Sequence, residues 1–171
     1  MSFSGKMEFR QTRCQRLEKR RHVVLVCCKL TDGRVDSTHK VCKRGFVSGS
    51  QLAIKHDTIY ISCWTSYSID GGVYAYDILN PHTPKFLYQH DGFIPYSIMV
   101  DERNFIYVCG FDSNRIHQLT DSGQLVTIHT VSTRLYGIFY DDQHGVLYTT
   151  SLRSNVITVY RIEYSHQPGV P

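Results

Sequence analysis

Alanine occurs only twice in the 171 residues, methionine three times and tryptophan once. Set against twelve tyrosines and eight phenylalanines, that shortage of strong helix formers argues against a helical bundle and for strands. Long apolar runs are also missing. Val23 to Cys27 is the most apolar short stretch and is far too short to span a bilayer, so no membrane role is expected. No apolar segment follows the N-terminus, and no signal peptide is read there. The six cysteines (Cys14, Cys27, Cys28, Cys42, Cys63, Cys109) contain no C-x-x-C pair, which excludes the ligand pairs of a zinc finger, RING or B-box within this chain. They read as free thiols of a cytoplasmic protein. The adjacent Cys27 and Cys28, on a strand, would point to opposite faces rather than form a redox pair.

What the chain does contain is apolar enough to fold. Hydrophobic residues make up 42% and aromatics 12%, too many for a disordered segment. Charge is unevenly spread. Residues 1–50 hold 12 Lys/Arg and 4 Asp/Glu (+8), leaving 7 and 11 (−4) for residues 51–171. A basic front on an acidic body suggests an anionic partner or an unusual leader.

One stretch appears twice. Pro95 to Asp101, Phe105 to Cys109 and Asn114 to Leu119 are repeated as Leu135 to Asp141, Val146 to Thr150 and Asn155 to Tyr160. A period of roughly 40–45 residues holding several short strands marks a β-propeller blade or a related array. Residues 93–131 give one four-stranded antiparallel blade: Ile94–Val100, Phe105–Cys109, Arg115–Leu119 and Gln124–Val131, with Gly123 in the last turn. Residues 51–91 give another: Leu52–Ile54, Thr58–Ser62, Val73–Tyr76 and Lys85–Tyr88. The mid-blade tyrosines Tyr60, Tyr107 and Tyr148 lie 107 − 60 = 47 and 148 − 107 = 41 residues apart. Residues 134–164 predict three strands of a further blade, and residues 22–42 the outer two strands of a preceding one.

The expected fold class is therefore all-β, a partial β-propeller of about three to four four-stranded antiparallel blades. Residues 1–21 are expected to be a basic, irregular N-terminal extension, 22–164 the propeller, and 165–171 a tail. Three or four blades do not close a ring in the ordinary way, so the chain reads as a fragment of a longer protein, with self-association through open blade edges as the alternative. The isolated chain is expected to aggregate or dimerise, because its end blades lack neighbours.

Pro95, Ile98, Val100 and Asp101, followed by Ile106-Tyr107-Val108 and then Asn114-Arg115-Ile116, resemble the NHL repeat. Gly137-Ile138, Asp141, Leu147-Tyr148, Asn155 and Ile157 follow it more loosely. The resemblance implies a recognition module like the C-terminal propeller of tripartite-motif (TRIM-NHL) ubiquitin ligases. It carries no ligase chemistry onto this chain, which has no RING. Related six-bladed folds include metal-dependent lactonases resembling gluconolactonase.

Recurrence at one place in each blade assigns Tyr60, Tyr107 and Tyr148 to packing between blades. Asp101 and Asp141 occupy equivalent turns, where a carboxylate bonds its own backbone. The loops entering the inner strands, Ser48 to Gln51, Gly92 to Pro95 and Ser132 to Leu135, offer no carboxylate for a lactonase metal. No catalytic residue, metal ligand or cofactor is therefore assigned. One propeller face would carry Trp64, Tyr67, Phe93, Tyr96, Phe111, Arg134, Tyr136 and Arg153, residue types that anchor protein interfaces. Some of these rings, Tyr96 and Tyr136 above all, would pack between blades. The expected function is non-catalytic recognition of a protein partner through that face. RNA binding is the alternative, by the same face with the basic run Arg10, Arg13, Arg16, Lys19, Arg20 and Arg21. A gluconolactonase-like hydrolase is the third reading. His117 and His129 are expected on exposed strand faces.

Overall fold

Strands alternate with tight turns because the apolar residues fall at a period of two and Gly, Asn and Asp punctuate them. The structure, a computed structural model, describes residues 11–14, 24–28, 35–40, 51–64, 71–79, 83–111, 113–151 and 154–161, the first three segments by their backbone alone. Among these residues there are strands and turns and no helix.

Four antiparallel sheets follow one another along the chain. The first holds β1 (Gln11–Cys14), β2 (Val24–Cys28) and β3 (Val35–Lys40), paired in that order. The second is β4 (Gln51–Lys55), β5 (Thr58–Cys63), β6 (Gly72–Asp77) and β7 (Lys85–Tyr88). The third is β8 (Pro95–Val100), β9 (Ile106–Gly110), β10 (Arg115–Leu119) and β11 (Leu125–Thr130). The fourth is β12 (Leu135–Asp141), β13 (Val146–Ser151) and β14 (Ile157–Arg161). Every strand pairs only with its neighbours in sequence, as up-and-down blades require.

The strands fall where the repeat places them, with one correction. Residues 1–21, read as irregular, contain β1, paired with β2 from Gln11↔Cys28 to Cys14↔Leu25. A Gln-Thr-Arg-Cys strand shows no apolar alternation, but an edge strand needs only its backbone to complete a ladder, and polar residues suit that position. A register shift also falls between Cys27 and Cys28 against β3, so the simple alternation expected there is interrupted by a bulge. The 165–171 tail and Cys42 lie outside the described residues.

The last three sheets stack like wedges on their first strands. β8 lies against both β4 and β12. Ser97 ties the three together: its Oγ donates to Oε1 of Gln51 on β4 at 2.5 Å and accepts from the Ile138 amide on β12 at 3.2 Å. Ser62 on β5 donates to the Tyr96 carbonyl at 2.6 Å. Two apolar layers fill the gaps. Tyr60, Val73, Tyr88 and Phe93 meet Ile98, Ile106, Val108 and Leu119 between the second and third sheets. Met99, Tyr107, Cys109 and Ile116 meet Leu135, Leu147, Ile138 and Tyr140 between the third and fourth. Tyr60 and Tyr107 are thus packing residues, as their recurrence predicts. Tyr148 occupies the equivalent place in the fourth sheet and is only partly buried.

The turn between β10 and β11 sits directly on the neighbouring blade. Gly123 has φ +90°, and a Cβ there would collide with the backbone of Leu87 on β7. Both features require glycine. Gly123→Ala is expected to lower stability by about 2 kcal/mol or more, read as a fall in the urea midpoint with unchanged slope. Gly145→Ala serves as the control: its φ is +64° but a Cβ meets nothing within 4 Å, so only the smaller conformational cost should appear.

Candidate functional site

The rim formed by the starts of β8 and β12 and the ends of β5 and β9 gathers aromatic side chains from three blades. Trp64 follows β5, Phe111 follows β9, Tyr96 begins β8 and Tyr136 begins β12. The repeat places them in step: Trp64 and Phe111 each stand four residues after a mid-blade tyrosine, and Tyr96 and Tyr136 two residues before an isoleucine. Their rings form a continuous row. Trp64 and Phe111 lie nearly parallel at 6°, with centroids 5.9 Å apart. Phe111 meets Tyr96 at 5.3 Å, and Tyr96 meets Tyr136 at 5.0 Å. A backbone bond from the Phe111 amide to the Ile94 carbonyl, 2.8 Å, fixes the turn that presents Phe111.

The row grades from buried to open. Tyr96 is buried, and its hydroxyl is pushed up to about 12 by that burial and then by its hydrogen bond with Tyr136. Trp64 and Phe111 are half-buried, and Tyr136 is 39% exposed. Trp64 Nε1 is shielded from solvent yet meets no acceptor among the described residues. An indole N–H in that state is a donor in need of a partner. Arg134 is exposed just ahead of β12. Tyr67 and Arg153 lie outside the described residues.

Phe93 does not belong to this face, which corrects its assignment. It is 3% exposed and stacks on His117 with centroids 3.7 Å apart and planes at 13°. The turn at Gly92, φ +69°, and the bond from the Phe93 amide to the His90 carbonyl fold the side chain inward. His117 is likewise corrected. It is fully buried on β10, facing β7, with Nδ1 2.6 Å from the Tyr88 hydroxyl. His117 lies on the inter-blade side of β10 because it pairs with Val108 on β9, itself a residue of that apolar layer. His129 is exposed, as expected.

A second polar feature carries no obvious signal in the sequence. Tyr107 donates to Asp101 Oδ2 at 3.2 Å, and Gln118 Nε2 donates to the Tyr107 hydroxyl at 3.1 Å. Asp101 Oδ1 accepts from the Phe105 amide at 2.8 Å, the turn role expected of it. Asp101 is fully buried, and the mid-blade tyrosine is its partner. Asp101 and Tyr107 each recur in the repeat, but only strand register brings them together. In the next blade Asp141 instead binds His144 Nδ1 at 2.7 Å, and that bond holds its carboxyl below the ordinary range.

Cys63 and Cys109 are buried and form no disulfide. Burial pushes Cys109 up to about 12, which leaves it unreactive at neutral pH. Among the described residues no three His, Cys, Asp or Glu side chains gather as metal ligands would. No helix of the described chain is long and apolar enough to cross a membrane.

No protein-family model matches the chain, and no curated protein sequence matches it. Solved structures do. The chain is similar to a gluconolactonase of Xanthomonas campestris, with 15% identity, TM-score 0.61, and 81% of this chain and 44% of that one covered. It is similar to BamB of Moraxella catarrhalis at 16% identity, TM-score 0.54, covering 87% and 42%. A chain of a nidogen/laminin complex gives 14% identity, TM-score 0.62, covering 88% and 56%. All three are β-propellers, and the fanned sheets of this chain form part of a β-propeller. The chain spans about half the length of these structures.

Proposed function

We propose that this chain is an interaction module that holds a protein partner on the rim carrying Trp64, Phe111, Tyr96 and Tyr136. The observation behind this reading is the unbroken contact of those four rings across three blades. Large rings already ordered by one another lose little entropy on binding, which is why such residues dominate interface energetics. Resemblance to NHL repeats supports the same reading and extends it to substrate recognition within a tripartite-motif ubiquitin ligase. On this proposal the chain performs no catalysis itself.

The test uses peptides selected from a random display library on the immobilised chain. Binding of the enriched peptides is expected to fall about tenfold or more in Trp64→Ala and in Tyr136→Ala, one hot-spot truncation each. Val126→Lys, on the outer strand β11, should leave it unchanged. Peptides that bind all three variants equally, or no enrichment at all, would refute the assignment. Retention of a fluorescent oligouridine, lost steeply between 50 and 200 mM salt, would instead favour RNA.

A further inference from the structure

The joint between the second and third sheets closes on a ring that has no place for a charge. His117 is fully buried, with Phe93 stacked on it at 3.7 Å and the His90 ring at nearly a right angle, 5.1 Å away. β7 sets the Tyr88 hydroxyl 2.6 Å from its Nδ1, and β9 sets apolar Val108 beside it. Its Nε2 is shielded from solvent and meets no acceptor among the described residues. The charges acting on the ring are those of His90 and of Arg115 on its own strand, both cationic when protonated. A proton on His117 would thus create a buried cation beside like charges, with one N–H unanswered.

The ring stacked on His117 also reaches the rim. Phe93 lies against Gly110, where a Cβ would fall 2.5 Å from its ring. Gly110 directly precedes Phe111, and the Phe111 amide bonds the carbonyl of Ile94, the residue after Phe93. Phe93 therefore stands between His117 and the turn that holds Phe111 against Trp64.

We propose that His117, Phe93 and the Gly110–Phe111 turn form an acid-released latch, in which a proton on His117 frees Phe93 from the joint and loosens the turn that carries Phe111. Acid then lets go of a partner held on the rim, a consequence that rests on the rim being a partner site. The sign follows from the closed joint excluding the proton and the open one admitting it. With His117 near the usual 6.5 when open and about 4 when closed, the ratio of open to closed rises about twentyfold from pH 7 to pH 5.

Amide hydrogen exchange, corrected for its intrinsic pH dependence, reads that ratio at the Phe93 and Phe111 amides, both bonded in the closed turn. Their protection should fall about twentyfold between pH 7 and pH 5 in the parent. His117→Gln should abolish this dependence, and His117→Leu gives a second reading should the glutamine variant fail to fold. Equal pH dependence in parent and variants would overturn the latch. So would a fall shared equally by all the sheets, which is global unfolding. Among peptides enriched on the rim, those without ionisable side chains should bind the parent more weakly at pH 5 than at pH 7, and the glutamine variant alike at both. Unchanged binding to the parent would overturn the release. Finding no such peptides would count against the rim assignment, while the exchange result still decides the latch.

Discussion

Replacing Tyr107 by alanine is expected to lower stability by about 4 kcal/mol, the largest single effect in the chain. The ring is 1% exposed and sits between the third and fourth sheets among Met99, Cys109, Ile116, Val131, Leu135 and Leu147. Its removal leaves a cavity that two stiff sheets cannot close, which adds to the lost transfer energy. It also takes one donor from the fully buried Asp101 and the acceptor from Gln118 Nε2. Tyr107→Phe separates the two contributions. It keeps the packing, loses only the hydroxyl, and should cost about 1–2 kcal/mol. Urea unfolding of parent, Phe and Ala variants measures both. An alanine variant within about 1 kcal/mol of the parent would mean that the blades do not depend on this contact. A phenylalanine variant as unstable as alanine would mean that the Asp101 bond, not the ring, supplies most of the stabilisation.

The second large effect is acid sensitivity at His117. Burial, then the nearby His90 and Arg115 charges, lower its pKa to about 4 from the usual 6.5. The Tyr88 hydroxyl facing it is pushed up to about 12 by burial and stays protonated. Between these two histidine values the unfolded chain binds a proton that the folded chain refuses. Stability therefore falls as pH drops from about 7 toward 4, by on the order of 2–3 kcal/mol from this group, and the loss is complete below the folded value. His117→Gln has no titrating ring. It should be less stable than the parent at pH 7, and the gap should narrow as pH falls to 4.5. Parallel stability curves for the two proteins would show that the imidazole is not held neutral by its surroundings.

These two residues mark where the sequence was informative and where it stopped. Tyr107 was legible because blades are copies: a ring that returns at one place in each copy must serve what the copies share, their stacking. Its hydroxyl bond to Asp101 was not, because the pair lies on two sides of a turn whose register only the ladder sets. His117 looked like an exposed histidine because strand alternation predicts two faces without saying which is inside. In β10 both faces are covered, so polar His117 and Gln118 are buried alongside Ile116 and Leu119. Phe93 failed similarly. A loop residue next to Gly92 reads as surface until the turn direction is known, and here the turn feeds the ring into the layer between blades.

The rim was half legible. The aromatics of Trp64, Phe111, Tyr96 and Tyr136 could be assigned to one propeller face by counting from the repeat. That they touch in series, with Tyr96 buried beneath and Tyr136 open at the end, depends on the distance between neighbouring blades.

Local periodicity alone determined the strands from residue 51 onward, their up-and-down order, the turn chemistry at Asp101 and Gly123, and the stacking role of the repeated tyrosine. Each of these depends on residues close in the chain or on the copying of one unit. Only the tertiary structure decided which faces are covered and which polar groups find partners inside. Those outcomes depend on what one sheet presents to the next, and a sequence states the surface of each sheet without stating what lies against it.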